Sequence, residues 1–483
     1  SALEISKRTT FWDFFNLSIY SKGQTIFAIF NYYLFYWAYE VLTINNDYIF
    51  DVLKILIHIS SCFLFYKFSS SYLTKENAVL FTLFFIFLPL HDSSIYWYMT
   101  VPYTFTACII LYCHYLIRLE YIKTGFILLL ISSFLSYSSP PYIFGASIIF
   151  LVEKKYFKFL LFIIPGLIYI FLYLLYAYNF PQIENRINDN LNLFFFIKNF
   201  TLQLLSSIDA LFGPSFILKF FYSILHNNIQ TLILSLLLFF SIYKFDLVKK
   251  SNFSKSLFLG LLSIYLLSLL MFSLTGLYVQ SSFNLGNRTL IYGSILFSYI
   301  LILLCNYSKI RYFLIIIYIV SIFGLSQFWK ETNLKQKIII NDINNTSFIQ
   351  IGSNSTLFID NNLYFKLGPF DHVEFFTAPW VLESIFKIKE KNIQNISAIK
   401  KNLVFNNNTV LDIKNKKEIK LENSIFIYNS DAKKLYKVSR DELISYINKK
   451  EFGKRHWIQI INIKKLNDII VKLSPRLYIY FNE

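Results

Sequence analysis

Stretches of apolar residues alternate with short polar connections along most of this chain. Runs at roughly 52–68, 77–90, 101–117, 125–139, 142–152, 159–178, 229–243, 257–275, 289–306 and 311–328 are poor in charge. Each reads as a helix in an apolar medium, and the longer ones approach the ~20 residues that cross a bilayer. The pattern predicts about ten transmembrane helices over residues 51–328.

The first 50 residues are less regular. Residues 24–42 (QTIFAIFNYYLFYWAYEVL) admit two readings, a true span or helices lying in the interface. Upstream, Phe11, Phe14, Phe15 and Ile19 form one face of an interfacial helix with Asp13 near its start. Residues 179–228 open polar, from Pro181 to Asn190, and continue as apolar stretches broken by Lys198, Asp209 and Gly213-Pro214. Interfacial or re-entrant helices lining a cavity explain this, with an extra pair of spans as the competitor.

Near Trp329 the pattern changes. Short alternating runs at 348–360, 362–367, 424–430, 456–463, 469–473 and 476–481 read as strands, and 379–390 and 440–450 as helices. The predicted fold class is an α-helical polytopic membrane domain followed by a C-terminal α+β soluble domain over residues 330–483.

Composition strengthens the membrane assignment: 55% of residues are hydrophobic and the mean hydropathy is +0.48. The 54 Phe and 36 Tyr, with abundant Ile, Asn and Lys, reflect a general compositional bias, so aromatic clusters carry little weight by themselves. The net charge of +17 fits basic cytoplasmic loops, and no nucleic-acid-binding motif is present. Basic residues flank alternate connections: Lys67 and Lys75; Arg118 and Lys123; Lys154, Lys155 and Lys158; Lys244, Lys249, Lys250 and Lys255; Lys309 and Arg311. The positive-inside rule makes this set cytoplasmic. The intervening connections, and by parity the C-terminal domain, then face the other side. Cys62, Cys108, Cys113 and Cys305 all lie in apolar runs, as buried thiols do, without disulfide or zinc spacing. The first 22 residues carry charges and no apolar core, so no cleavable signal peptide is read there.

The candidate chemistry gathers on the non-cytoplasmic side. His91-Asp92 interrupts two apolar runs, as a helix-capping loop or as a carboxylate beside a membrane cavity. Asp13 is a helix cap or a general base, and Glu40 and Asp47 compete for that role. Arg288 opens a span on the side that the rule disfavours, either snorkelling to headgroups or gripping a lipid-linked phosphate. Lys22 and Arg186 are weaker versions of the same idea. Asp371, His372 and Glu374 read as a turn with a solvated charged face, with a metal site of no recognised spacing as the alternative. There is no P-loop, dinucleotide fingerprint, zinc spacing or nucleophile elbow.

The segment 51–98 resembles the GT-C membrane glycosyltransferases of the protein-mannosyltransferase-like kind. The resemblance rests on His58 in an apolar helix, a second apolar helix ending in Pro89-x-His91, and Trp97 shortly after. Upstream, Asp13 stands where such proteins carry an essential acid in the first non-cytoplasmic loop, with Thr9 and Thr10 where many have a second one. The layout is shared over roughly residues 10–330. The resemblance implies an inner-membrane enzyme that moves a sugar from a polyprenyl-phosphate carrier to an extracytoplasmic acceptor, either a cell-surface glycan such as O-antigen or a protein. It implies Asp13, then Asp92, as catalytic carboxylates, Arg288 and Lys22 on the lipid phosphate, and His91, Trp97 and Glu40 near the substrate. No cofactor is required, and a divalent metal stays open. The rivals are a transporter or lipid-linked glycan flippase, and an inactive scaffold. The absence of an internal repeat and the gathering of polar residues on one side speak for the transferase.

Overall fold

The computed structural model describes residues 47–461, apart from 98–99, 180–191, 246–251, 276–279, 307–309, 345–350, 352–353, 361–363, 375–381, 384–392, 394, 401–402, 414–416 and 455. Of the described residues 70% are helical, and the C-terminal region contains strands. It divides into two compact units, one comprising residues up to Ser282 and Gly286–Ser326, the other Phe283–Leu285 and the chain from Gln327.

Each apolar run of the first unit is a helix. The described helices are Asp47–Ser69, Lys75–Ile86, Val101–Arg118, Ile122–Ser133, Ser139–Val152, Tyr156–Asn179, Leu193–Phe212, Pro214–Leu225, Ile229–Lys244, Lys255–Thr275, Ile291–Leu304 and Arg311–Asn344. Among the described residues, six segments are long and apolar enough to cross a membrane, fewer than the ten expected. Runs such as Ile122–Ser133 and Ser139–Val152 are apolar but too short to span alone. The Tyr156–Tyr176 window has a mean hydropathy of 2.4 yet is only 22% buried. A surface that apolar requires an apolar medium around it, so this is an integral membrane protein.

Close backbone approach holds the bundle where hydrophobicity cannot, because lipid tails are as apolar as the helices. Helices Ser139–Val152 and Lys255–Thr275 meet at two glycines. A Cβ on Gly145 would lie 2.5 Å from the Ile264 backbone nitrogen, and one on Gly260 2.3 Å from Ile149 Cγ1. At one end, two basic connections are laced together. Arg118 reaches Glu153 at 2.6 Å and lies over the Tyr72 ring at 4.3 Å, Lys155 meets Glu153 at 2.7 Å, and Lys158 pairs with Glu120.

The 179–228 segment resolves into two helices joined at Gly213. Pro214 removes an N–H and opens the second helix at its first turn. The Asp209 carboxylate reaches across the break and accepts from the Ser215 backbone N–H at 3.4 Å and from the Ser215 hydroxyl at 2.6 Å. This satisfies the new helix start inside an apolar region, where an orphaned N–H is costly.

The last helix of this unit does not stop at Trp329. It runs on to Asn344, because residues 330–344 contain neither Pro nor Gly and Gln327 bonds Glu331 one turn on, at 2.8 Å. Beyond it, β1 (Ser355–Asp360) lies between β4 (Asn395–Ala398) and β8 (Ser424–Asn429), parallel to both. Strand β9 (Lys434–Val438) closes the sheet antiparallel to β8. A hairpin of β2 (Tyr364–Leu367) and β3 (Phe370–Glu374) turns at Gly368, whose φ of 62° suits glycine. Strands β5 (Leu403–Phe405), β6 (Thr409–Asp412) and β7 (Lys417–Lys420) form an antiparallel meander.

Helix Arg440–Lys449 starts at a reciprocal capping box between Ser439 and Glu442 and buries Leu443 and Ile447 against Phe358, Val410 and Ile427. Two expectations fail in this unit. Residues 456–463 contain the helical turn Ile458–Ile461 rather than a strand. Asp371 and His372 are buried on β3, with His372 against the Phe328 and Phe283 rings, not on a solvated turn. The expected strands at 469–473 and 476–481 lie outside the described residues, as does most of the expected helix at 379–390.

Candidate functional site

The polar island at His91-Asp92 is not a surface loop. Helix Lys75–Ile86 ends before Pro89, which starts a 3₁₀ turn through His91. A helical turn, Ser93–Tyr96, follows, and Trp97 is extended before Pro102 opens the next long helix. Leu88, Leu90 and Ile95 are core, while His91, Asp92, Ser93 and Ser94 are polar and 0% exposed. Buried polar groups require partners.

The partners come from distant parts of the chain. Lys219, on helix Pro214–Leu225, places its ammonium 2.6 Å from Asp92 Oδ1, with both side chains fully buried. The same ammonium donates to the Ser282 carbonyl. Asn287, in the 3₁₀ turn Leu285–Leu290, donates its amide to Asp92. The Asn287 carbonyl accepts from the Ser93 backbone N–H at 3.1 Å and from the Ser93 hydroxyl. Because a backbone N–H can only donate, the orientation of this amide is fixed. Thr100 closes the segment by donating to the Trp97 carbonyl at 3.0 Å.

The two histidines hold the same segment from other sides. His58 donates from Nε2 to the Ile95 carbonyl at 2.8 Å. His91 Nδ1 lies 2.9 Å from Ser294 Oγ. Ser294 gives its proton to the Leu290 carbonyl, so it accepts from His91 and Nδ1 carries the hydrogen. Burial pushes the His91 imidazole down to about 3; Asp92 opposes this, and Lys219 and His58 add to it. His91 is therefore neutral at physiological pH and acts as a hydrogen-bonding strut.

Arg288 follows Asn287 directly. Its guanidinium sits over the Trp97 ring, 5.7 Å from the centroid, and the residue borders a cavity of about 380 Å³. The walls are almost wholly apolar and aromatic, among them Tyr103, Phe144, Tyr169, Tyr173 and Met271. Tyr292 lines it too, stacked on Tyr142 at 4.6 Å and donating to the Ser138 carbonyl at 3.1 Å. A greasy cavity with a cation at its border suits an amphiphile with an anionic head.

Compared with protein families, curated proteins and solved structures, the chain matches none.

Of the residues singled out in the sequence, the structure brings His58, His91, Asp92, Trp97 and Arg288 around one segment. Asp13, Lys22 and Glu40 lie outside the described residues. Lys219 and Asn287 escaped the sequence reading. A signal for Lys219 existed: a lysine amid Phe and Ile in a membrane-length stretch demands a counter-charge. Asn287 gave none. Among the described residues no cluster of His, Cys, Asp and Glu is arranged to hold a metal ion.

Proposed function

We propose that this protein is a membrane glycosyltransferase of the GT-C kind, which moves a sugar from a polyprenyl-phosphate carrier to an extracytoplasmic glycan, such as O-antigen, or to a protein. The observation that carries the proposal is Arg288 at the border of an apolar cavity of about 380 Å³ within the membrane-embedded unit. The cavity accommodates part of an isoprenoid tail, and the guanidinium fork matches the carrier phosphate.

In the reaction, the acceptor oxygen attacks the anomeric carbon as the bond from that carbon to the phosphate oxygen breaks. The configuration inverts. The acceptor proton passes to a carboxylate, and the electron pair leaves with the polyprenyl phosphate, whose growing charge Arg288 stabilises. Asp13 is the carboxylate assigned to the proton. Asp92 is enclosed with Lys219 and has no exposed surface for an acceptor to reach. The alternation of basic connections supports an inner-membrane location with the site on the extracytoplasmic side.

The test is release of polyprenyl phosphate from a polyprenyl-phosphate hexose by the purified protein in lipid nanodiscs. Arg288→Ala lowers the rate on the order of 10²-fold, the usual effect of losing one charge-stabilising donor. Asp13→Ala abolishes transfer while the donor still binds. Absence of release from every donor offered, or full activity of both variants, refutes the assignment; transbilayer movement of the intact donor without release would make the protein a flippase.

A further inference from the structure

Asn287 is the residue before Arg288, and all of its side-chain hydrogen bonds run to residues 92 and 93. Its side chain is 0% exposed and touches neither lipid nor solvent. Asp92 receives both the Asn287 amide and the Lys219 ammonium on one oxygen, Oδ1. Lys219 holds Ser282 as well, so the segment that leads into Arg288 is anchored ahead of it at residue 282 and beside it at 287. On the other side, the Arg288 guanidinium rests over Trp97, which Thr100 holds by its carbonyl. The backbone leading into Arg288 and the head of its side chain are both seated on residues 92–97.

We propose that Asp92 and Asn287 are positioning residues that fix Arg288 at the cavity border, with Lys219 neutralising the carboxylate that does so. This rests on the reading of Arg288 as the phosphate ligand and adds the residues that aim it. Asp92 acts through Asn287 and meets no substrate. A guanidinium misplaced by about 1 Å loses much of its interaction with a phosphate, so releasing Asn287 is felt at Arg288 although nothing at the cavity wall has changed.

The test is equilibrium binding of a radiolabelled polyprenyl monophosphate to the purified protein in detergent, with the matching polyprenol as the uncharged control. Arg288→Ala is expected to weaken phosphate binding about tenfold and leave polyprenol binding unchanged. Asp92→Asn and Asn287→Asp each weaken it by a similar factor, and neither weakens it further once Arg288 is Ala. Ser93→Ala, which removes one hydrogen bond to the Asn287 carbonyl and leaves both charges in place, weakens phosphate binding in the same direction and leaves polyprenol binding unchanged. A role confined to holding the fold is shown instead if the single variants weaken phosphate and polyprenol binding alike, or if their effects persist in the Arg288→Ala background. Where Asp92→Asn or Asn287→Asp does not fold, Ser93→Ala decides by the same comparison: weaker phosphate binding with unchanged polyprenol binding upholds positioning, and wild-type phosphate binding overturns it. Wild-type binding by Arg288→Ala overturns the phosphate reading itself. Weakening by Arg288→Ala with wild-type binding by the other two overturns only the positioning.

Discussion

Replacing Lys219 with methionine removes the counter-charge of a carboxylate that has no exposed surface. At 2.6 Å and an effective dielectric of 20, the attraction that disappears is ~6 kcal/mol. Most of that is offset in the wild type by the desolvation of two ions, so the net loss is smaller. The stranded carboxyl also has an escape, because it can take up a proton. At pH 7 this costs about 1.4 kcal/mol for each pH unit above the ordinary carboxylate range, or about 4 kcal/mol. The figure agrees with the ~3–5 kcal/mol typical of removing one partner from a buried pair. Thermal unfolding in detergent, followed by tryptophan fluorescence at pH 5, 6 and 7, measures it. The reference is the double variant Lys219→Met/Asp92→Asn, which is neutral at both positions. In the single variant the folded state keeps a proton that the unfolded chain has lost, so protons favour folding. The gap to the double variant therefore narrows by about 1.4 kcal/mol for each pH unit from 7 toward 5. A single variant as stable as the double at every pH would refute the buried ion pair.

Three further outcomes follow from the packing and the titrating groups. Gly145→Ala destabilises by about 1–3 kcal/mol and is not relieved by trimming Ile264, because its Cβ meets backbone; Gly260→Ala meets the Ile149 side chain and is relieved by Ile149→Ala, both read as melting temperatures. The depressed His91 makes the wild type lose stability as pH falls below about 6.5 toward about 3, by up to ~1.4 kcal/mol per unit, since the unfolded imidazole binds the proton first. His91→Asn, which keeps a donor toward Ser294, removes the His91 share of that slope. In the C-terminal unit Ser439→Ala costs about 1 kcal/mol, and the Ser439 backbone N–H and hydroxyl hold the Glu442 carboxyl below its usual range. The Glu442 half of the box is present at neutral pH and fades as pH falls through the carboxylate range; a Glu442→Gln protein that keeps the same pH dependence would refute it.

The helices of the membrane unit were legible because an apolar run is a local signal. Their boundaries blurred where Pro and Gly act over one or two residues, as at Gly213-Pro214. Helix Arg311–Asn344 outran its apolar stretch because polarity changes at Trp329 while helix propensity does not. His91-Asp92 stood out as polar, but its burial depends on Lys219, 127 residues away, and no local pattern encodes that distance. Strand β5 has three residues, too few to show alternation. Strand β3 was misread because Asp371 and His372 look solvated until the rings of Phe328 and Phe283 are placed around His372. The site was visible as Arg288 and Trp97 separately; their meeting at 5.7 Å was not.

The pairing of Lys219 with Asp92 also sets a schedule for biogenesis. Chains emerge N-terminus first, so the acid is in the membrane 127 residues before its base is synthesised. Until then Asp92 waits without its ammonium, and the early helices are an incomplete assembly. Lys219 arrives within an apolar stretch that alone resists insertion by about 2.5–3.5 kcal/mol for the charge. It finds its counter-ion already in place, which turns a poorly inserting segment into the one that closes the bundle. A nascent chain cut short before helix Pro214–Leu225 retains the exposed liability of an unpaired acid, a mark by which membrane quality control can tell an unfinished chain from a finished one.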